Sequence, residues 1–269
     1  MLLPTGDEPS FQALGAGFEY AHAFSESFDT AIALNYSQYA FSNDLFGGTQ
    51  FAVDQNGAAL NTSGFDPNER LLSVKFHGLY SDLNDRDLPT RGTKFRFGSE
   101  QGWGIGNATA AYNRLEANFA HLFPAPGFGE EDHTFLINLQ AGTIFGDPPP
   151  IRAFNLGGPN SVRGYSPGEL ASGRAFVLAS AEYRHHLFDF SISDYEVDTR
   201  LEVFYDYAST LGTSDDLIGF PPQTLNQPGD GQGYGLGLQL ASKVALFRFG
   251  TAWNDQGDNR FYFTAGERF

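Results

Sequence analysis

The stretch "EVFYDYAS", residues 202–209, sets Glu202, Phe204 and Asp206 on one side and Val203, Tyr205 and Tyr207 on the other. A period of two is the period of a β-strand, whose successive side chains point to opposite faces. One face here carries two carboxylates and the other is apolar and aromatic. In a soluble protein the aromatic face would be buried in a core and the charged face solvated. In a membrane barrel the aromatic face would meet lipid and the charged face would line a wet lumen. The surrounding sequence decides between these readings.

The same alternation recurs along the chain, and no helical periodicity of any length interrupts it. Leu14, Ala16, Phe18, Tyr20 and Phe24 share one side of 11–24, and Ile32, Leu34 and Tyr36 do so in 28–41. Leu72, Val74, Phe76 and Tyr80 oppose Ser73, Lys75 and His77; Phe95 and Phe97 oppose Lys94, Arg96 and Glu100. Further segments follow at 107–122, 133–146, 174–187, 199–208, 232–242, 244–253 and 259–269. Within them Arg114, Glu116 and Asn118, and likewise Ser180, Glu182 and Arg184, fall on the polar side. About eleven strands result, most of them as long as the roughly 9–11 residues that cross a bilayer and longer than the roughly 5–6 of soluble sheets. The connections at 42–69, 147–173 and 209–230 are long and fall on one end, which is the pattern of an outer-membrane barrel. A soluble barrel with a one-sided solvated sheet is the alternative.

Composition agrees. Aromatics make up 15% of the 269 residues, glycine 32 residues, and charged residues only 18%, low for a soluble protein. No run approaches the roughly 18 apolar residues of a spanning helix. The net charge of −16 argues against a nucleic-acid partner. With no cysteine there is no disulfide, thiolate metal site or cysteine nucleophile. "MLLPTGDEPS" lacks the basic and apolar regions of a signal peptide, so an outer-membrane location implies that a leader was removed or that the sequence is a fragment.

"GGPNSVRGYSPGEL", residues 157–170, lies between two strand segments and holds one arginine among turn residues. "NSVRGYSPGEL" resembles the VRGY loop of the BamA superfamily, the bacterial surface antigen family. "LPTRGTKFRFG" (88–98) is similar to that family's strand entry, "FVLASAEYRHHLF" (176–188) to the strand after the loop, and "VFYDYAS" (203–209) to its Phe-x-Asp strand. "NDQGDNRFYFTAGERF" (254–269) is most similar to the cyanobacterial and chloroplast branch. The resemblance covers most of 70–269, with its motifs in the family's order.

The resemblance implies an antiparallel transmembrane β-barrel of an outer membrane or plastid outer envelope, with the long loop folded into the lumen. We read residues 1–269 as one barrel domain of eleven or twelve strands, without the family's N-terminal POTRA domains and short of its sixteen strands. The implied function is insertion or translocation of client β-barrel or secreted proteins through a lateral seam. A passive pore, a structural barrel and a fragment inactive alone are the alternatives. The loop motif is Val162, Arg163, Gly164 and Tyr165, and the lumen-wall partners are Asp206, Glu182 and Phe204. Guanidinium–carboxylate pairing is the physical reason an arginine enters a lumen. The last strand, with Phe261, Phe263, Gly266 and terminal Phe269, is read as the C-terminal signal and one lip of the seam, Gly266 leaving a gap in its side-chain surface.

No cofactor, metal or catalytic residue is expected. His185 and His186 are neighbours on a strand and face opposite sides. "NDQGDN" (254–259) has the content of a hairpin turn, and Asp194, Glu196 and Asp198 read as a solvated acidic turn. The glycines at 233–237 lie in a strand and make no phosphate loop. The expected partners are outer-membrane lipids and client proteins, with a homo-oligomer left open.

Overall fold

A computed structural model describes residues 11–41, 68–85, 88–106, 108, 110–125, 133–192, 195–211, 227–266 and 268. The strands are β1 (Phe11–Ser25), β2 (Phe28–Phe41), β3 (Asn68–Ser81), β4 (Gly92–Gly104), β5 (Ala111–Pro124) and β6 (Thr134–Asp147), then β7 (Phe154–Leu156) and β8 (Ala171–Gly173). They continue with β9 (Ala175–Ile192), β10 (Tyr195–Thr210), β11 (Asp230–Ala241), β12 (Leu246–Asn254) and β13 (Asn259–Ala265). Among the described residues, all but β7 and β8 join one antiparallel sheet of eleven strands in chain order, as the alternation predicts. No described helix is long and apolar enough to cross a membrane.

Register turns the alternation into two faces. Glu19 pairs with Ala33, Ala33 with Lys75, Lys75 with Glu100 and Glu100 with Arg114. Further along, Leu136 pairs with Glu182, Glu182 with Phe204 and Phe204 with Gly235. Directly opposed residues share a face, so these rows run around the inner wall. The opposite face exposes Phe18, Ile32, Leu34, Phe76, Leu139, Val203, Tyr205, Tyr207, Tyr234 and Leu236. A continuous apolar outer surface of this extent is what lipid requires.

The strands overrun several expected boundaries. Most of the connection predicted over 188–198 is instead strand, at 188–192 and 195–198, with Tyr195 paired to Ile192 and Thr199 to Phe188. Glu196 and Asp198, read with Asp194 as an acidic turn, lie in β10; a ladder needs only backbone groups, and polar side chains are tolerated where strands project past lipid. A register shift between Thr199 and Arg200 leaves Leu187 unpaired, a β-bulge. The last strand, in contrast, stops at Ala265, short of the predicted 269.

The segment between β6 and β9 fills the interior. It begins with a 3-10 turn at Pro150–Arg152, and β7 pairs β8 to close the neck of the loop. Phe154, Leu156, Val162, Tyr165 and Leu170 from this segment pack on Tyr112, Ile144, Phe176, Leu178 and Ala208 of the wall. Phe154 and Phe176 meet with ring centroids 4.7 Å apart. Each such side chain buried contributes about 1.5–3 kcal/mol, so the loop is held by an apolar core as well as by charge. At the two edges, β1 and β13 do not pair with each other among the described residues.

Candidate functional site

Three inward carboxylates form one patch because of strand geometry. Glu202 and Asp206 flank Phe204 at alternate positions of β10, and Glu182 is the cross-strand partner of Phe204 on β9. Arg163 descends from the loop onto this patch and is 2% exposed. Its Nε donates to Asp206 Oδ2 at 2.7 Å and its NH2 to Asp206 Oδ1 at 2.9 Å, a bidentate pair. Its backbone N–H also donates to Asp206 Oδ2, at 3.1 Å. NH2 lies 3.0 Å from Glu182 Oε1, NH1 donates to Glu202 Oε1, and the guanidinium carbon stands 3.3 Å from the centroid of the Phe204 ring. Burial opposes a charge on Arg163, but Asp206 and Glu182 outweigh it and hold the guanidinium above its ordinary value.

The carboxylates have further partners. Arg184 NH2 is 3.1 Å from Glu182 Oε2 and Arg248 NH1 is 4.0 Å from it. Gln239 donates to Glu202 Oε2 at 2.7 Å, and Ser180 Oγ donates to Asp206 Oδ1. Arg268 NH1 reaches Glu182 at 3.2 Å and Asp206 at 3.0 Å. Charges removed from water cost several kcal/mol each unless closely matched, and this lattice supplies the match.

The rest of the loop motif sits in complementary space. Val162 is fully buried. Gly164 has φ +97°, and a Cβ there would come within 2.9 Å of the Trp253 backbone carbon; only glycine combines that backbone with that proximity. Asn254 Nδ2 donates to the Gly164 carbonyl at 3.2 Å. Opposite, a Cβ on Gly233 would overlap the Arg163 carbonyl, so β11 is bare of side chain where the loop backbone lies on it. Tyr165 donates its hydroxyl to Asp255 in the β12–β13 turn. Burial, with that hydrogen bond, pushes its phenol up, so the hydroxyl remains a donor at neutral pH.

The expected loop residues and wall partners thus meet at one place. Of the residues assigned to the seam, Phe261 and Phe263 are exposed on the outer face of β13, while Gly266 lies beyond the strand at φ +92°, where it turns the chain rather than thinning the strand. Phe269 lies outside the described residues. A cleft of about 500 Å³ separates Arg163–Pro167 from Asn259–Phe263. Glu202 was missed as a partner although it shares Asp206's parity four residues away. Arg268 was missed although the strand predicted over 259–269 set it on the side opposite Phe261, Phe263 and Phe269. A second contact of the loop also went unread: Arg152 NH2 is 3.5 Å from Glu100 Oε1, which accepts from Tyr112 Oη at 2.8 Å, and Lys75 lies 3.7 Å from Glu100 Oε2. Among the described residues, His186, Asp189 and Asp198 converge beside the bulge; Arg200 already holds Asp198 through two hydrogen bonds, at 2.8 and 2.9 Å.

Comparison with known proteins gives this geometry a context. Residues 4–269 match the Omp85 superfamily domain. Outer envelope protein 80 of Arabidopsis thaliana is 31% identical over 258 residues, 94% of this chain and 32% of that protein. Outer envelope protein 39 of the same plant is 25% identical over 250 residues, covering 93% of this chain and 64% of that one. The crystal structure of BamA from Haemophilus ducreyi lacking POTRA domains 1–3 superposes with a TM-score of 0.70 at 17% identity, over 96% of this chain and 55% of that chain. The chain therefore spans about a third of the length of the first of these relatives. With the family model covering nearly every residue, the chain belongs to the Omp85 superfamily and is a transmembrane β-barrel protein of an outer membrane or outer envelope.

Proposed function

We propose that the chain inserts or translocates client proteins at a seam of which β13 is one lip, with the Arg163 loop as the internal brace of that lip. One observation carries this reading. β13 leaves one edge unpaired among the described residues, next to a cleft whose other wall is the loop. An unpaired strand edge presents a row of backbone donors and acceptors that an incoming strand completes. The loop limits how far such a strand can enter the lumen, since Arg163 and Tyr165 tie it to β10 and to the β12–β13 turn.

The test is reconstitution of the full chain in lipid vesicles, with client-barrel insertion and single-channel conductance read in parallel. Accelerated insertion of an unfolded outer-membrane barrel, reduced by a proline placed in β13, supports the reading. Steady conductance with no effect on client insertion overturns it in favour of a passive pore. That rival draws on the inner wall of β3–β5, where Lys75 is 41% and Glu116 51% exposed at the side chain.

A further inference from the structure

We propose that the segment after β13 is a latch, with Arg268 as its positioning residue, coupling the last strand to the lumen loop. Gly266 donates its N–H to the Leu246 carbonyl at 2.8 Å, the last rung of the β12–β13 ladder. Its φ of +92° then turns the chain away from the strand direction. Two residues later, Arg268 is inside the lumen with its side chain 3% exposed. It grips the wall and the loop together. NH1 donates to Ser180 Oγ at 3.1 Å, to Glu182 Oε1 at 3.2 Å and to Asp206 Oδ1 at 3.0 Å, and NH2 donates to the Ser161 carbonyl, two residues before Arg163.

The oxygens it uses are the ones Arg163 uses. Asp206 Oδ1 and Glu182 Oε1 each contact NH2 of Arg163 and NH1 of Arg268. The loop and the last strand are therefore fastened to the same two carboxylates. Their grips are unequal. Without Arg268, Arg163 keeps its bonds to Asp206 Oδ2 and Glu202. Without Arg163, Arg268 still holds the loop by one carbonyl.

One patch of charge joins the loop, the wall and the last strand. Among the described residues the patch gathers Arg163, Arg184, Arg248 and Arg268 around Glu182, Glu202 and Asp206. Arg268 is the one of these guanidiniums attached to the edge strand. Movement of β13 thus loosens the loop, and by linkage loosening of the loop frees β13.

The absence of native cysteine makes single-cysteine labels unambiguous. In the full chain folded into lipid vesicles, thiol modification of Val162→Cys reports loop opening, and a nitroxide on Phe263→Cys reports motion of β13. Arg268→Ala is expected to raise the modification rate about fivefold or more and to mobilise the nitroxide. Arg163→Ala is expected to mobilise the nitroxide as well, and Arg268→Lys to keep both readouts near wild type. If Arg268→Ala mobilises β13 while the loop rate stays at the wild-type value, the residue only caps the strand and the latch is overturned. Should Arg268→Ala fail to fold, hydrogen exchange of the unsubstituted protein decides. Peptides from 157–170 and from 259–268 should lose protection at one common denaturant concentration, and separate midpoints overturn the coupling.

Discussion

Glu19 and Glu182 are the same residue on the same inward face of one sheet, yet they live in different worlds. Glu19, on β1, is exposed. Glu182, on β9, is 1% exposed and touches Arg163, Arg184 and Arg268. Strand periodicity chose the face for both. What separates them is the loop, which packs on β4–β6 and on β9–β12 and leaves β1 bare. Around Glu182 it is the segment entering the lumen that completes burial.

The sharpest way to break that contrast is to remove the loop's main anchor. Asp206→Ala leaves Arg163 and Arg268 short of a carboxylate in a buried site, and losing one partner of such a pair costs about 3–5 kcal/mol. Denaturant unfolding in lipid vesicles should show that loss together with raised pore conductance. The double variant with Arg163→Ala should be little worse than Asp206→Ala, because contacting residues are not additive; simple addition would mean the two act independently.

Next in size is Gly233→Val, which puts a branched side chain where the Arg163 carbonyl rests. Overpacking of this kind costs about 1–3 kcal/mol, and the loop should become accessible to a thiol reagent at Val162→Cys. The same change at Gly17 on β1 should leave that rate unaltered, since β1 has no loop above it.

Glu100→Gln tests the loop's other attachment. Arg152 is less enclosed than Arg163, with 15% of its side chain exposed, and the variant keeps a hydrogen-bond acceptor for Tyr112. A loss of about 1 kcal/mol is expected, confined to the root of the loop when followed by hydrogen exchange. Glu19→Ala is the smallest change, within about 0.5 kcal/mol of wild type as for other exposed sites. A larger loss there would show that β1's inner face is covered in the membrane.

The sequence was legible wherever a repeating physical constraint wrote it. Lipid on one side and lumen on the other force alternation over long strands, so the eleven strands and the inward position of Glu182, Phe204 and Asp206 could be read residue by residue. Arg163 was placed in the lumen by the resemblance of its loop, and an arginine there needs a carboxylate partner. The β7–β8 hairpin was not, since three-residue strands are too short to show a period. Nor was the use of Gly233, because a glycine in a strand announces an empty place without naming its occupant. Arg152 lies just outside a strand, where side-chain direction does not follow from counting, whereas Arg268 had the inward parity of the strand predicted over 259–269 and was passed over.

The two edges of the sheet carry an arithmetic of their own. Among the described residues each of the sheet's eleven strands reverses its neighbour, so β1 and β13 point the same way. Bringing them together directly would make a single parallel junction in an otherwise alternating ring, between strands of 15 and seven residues. A ring that alternates throughout needs an odd number of strands inserted at that gap, whatever chain they come from; five would make the sixteen that the family resemblance implies. Parity, more than diameter, sets which guests can complete this wall.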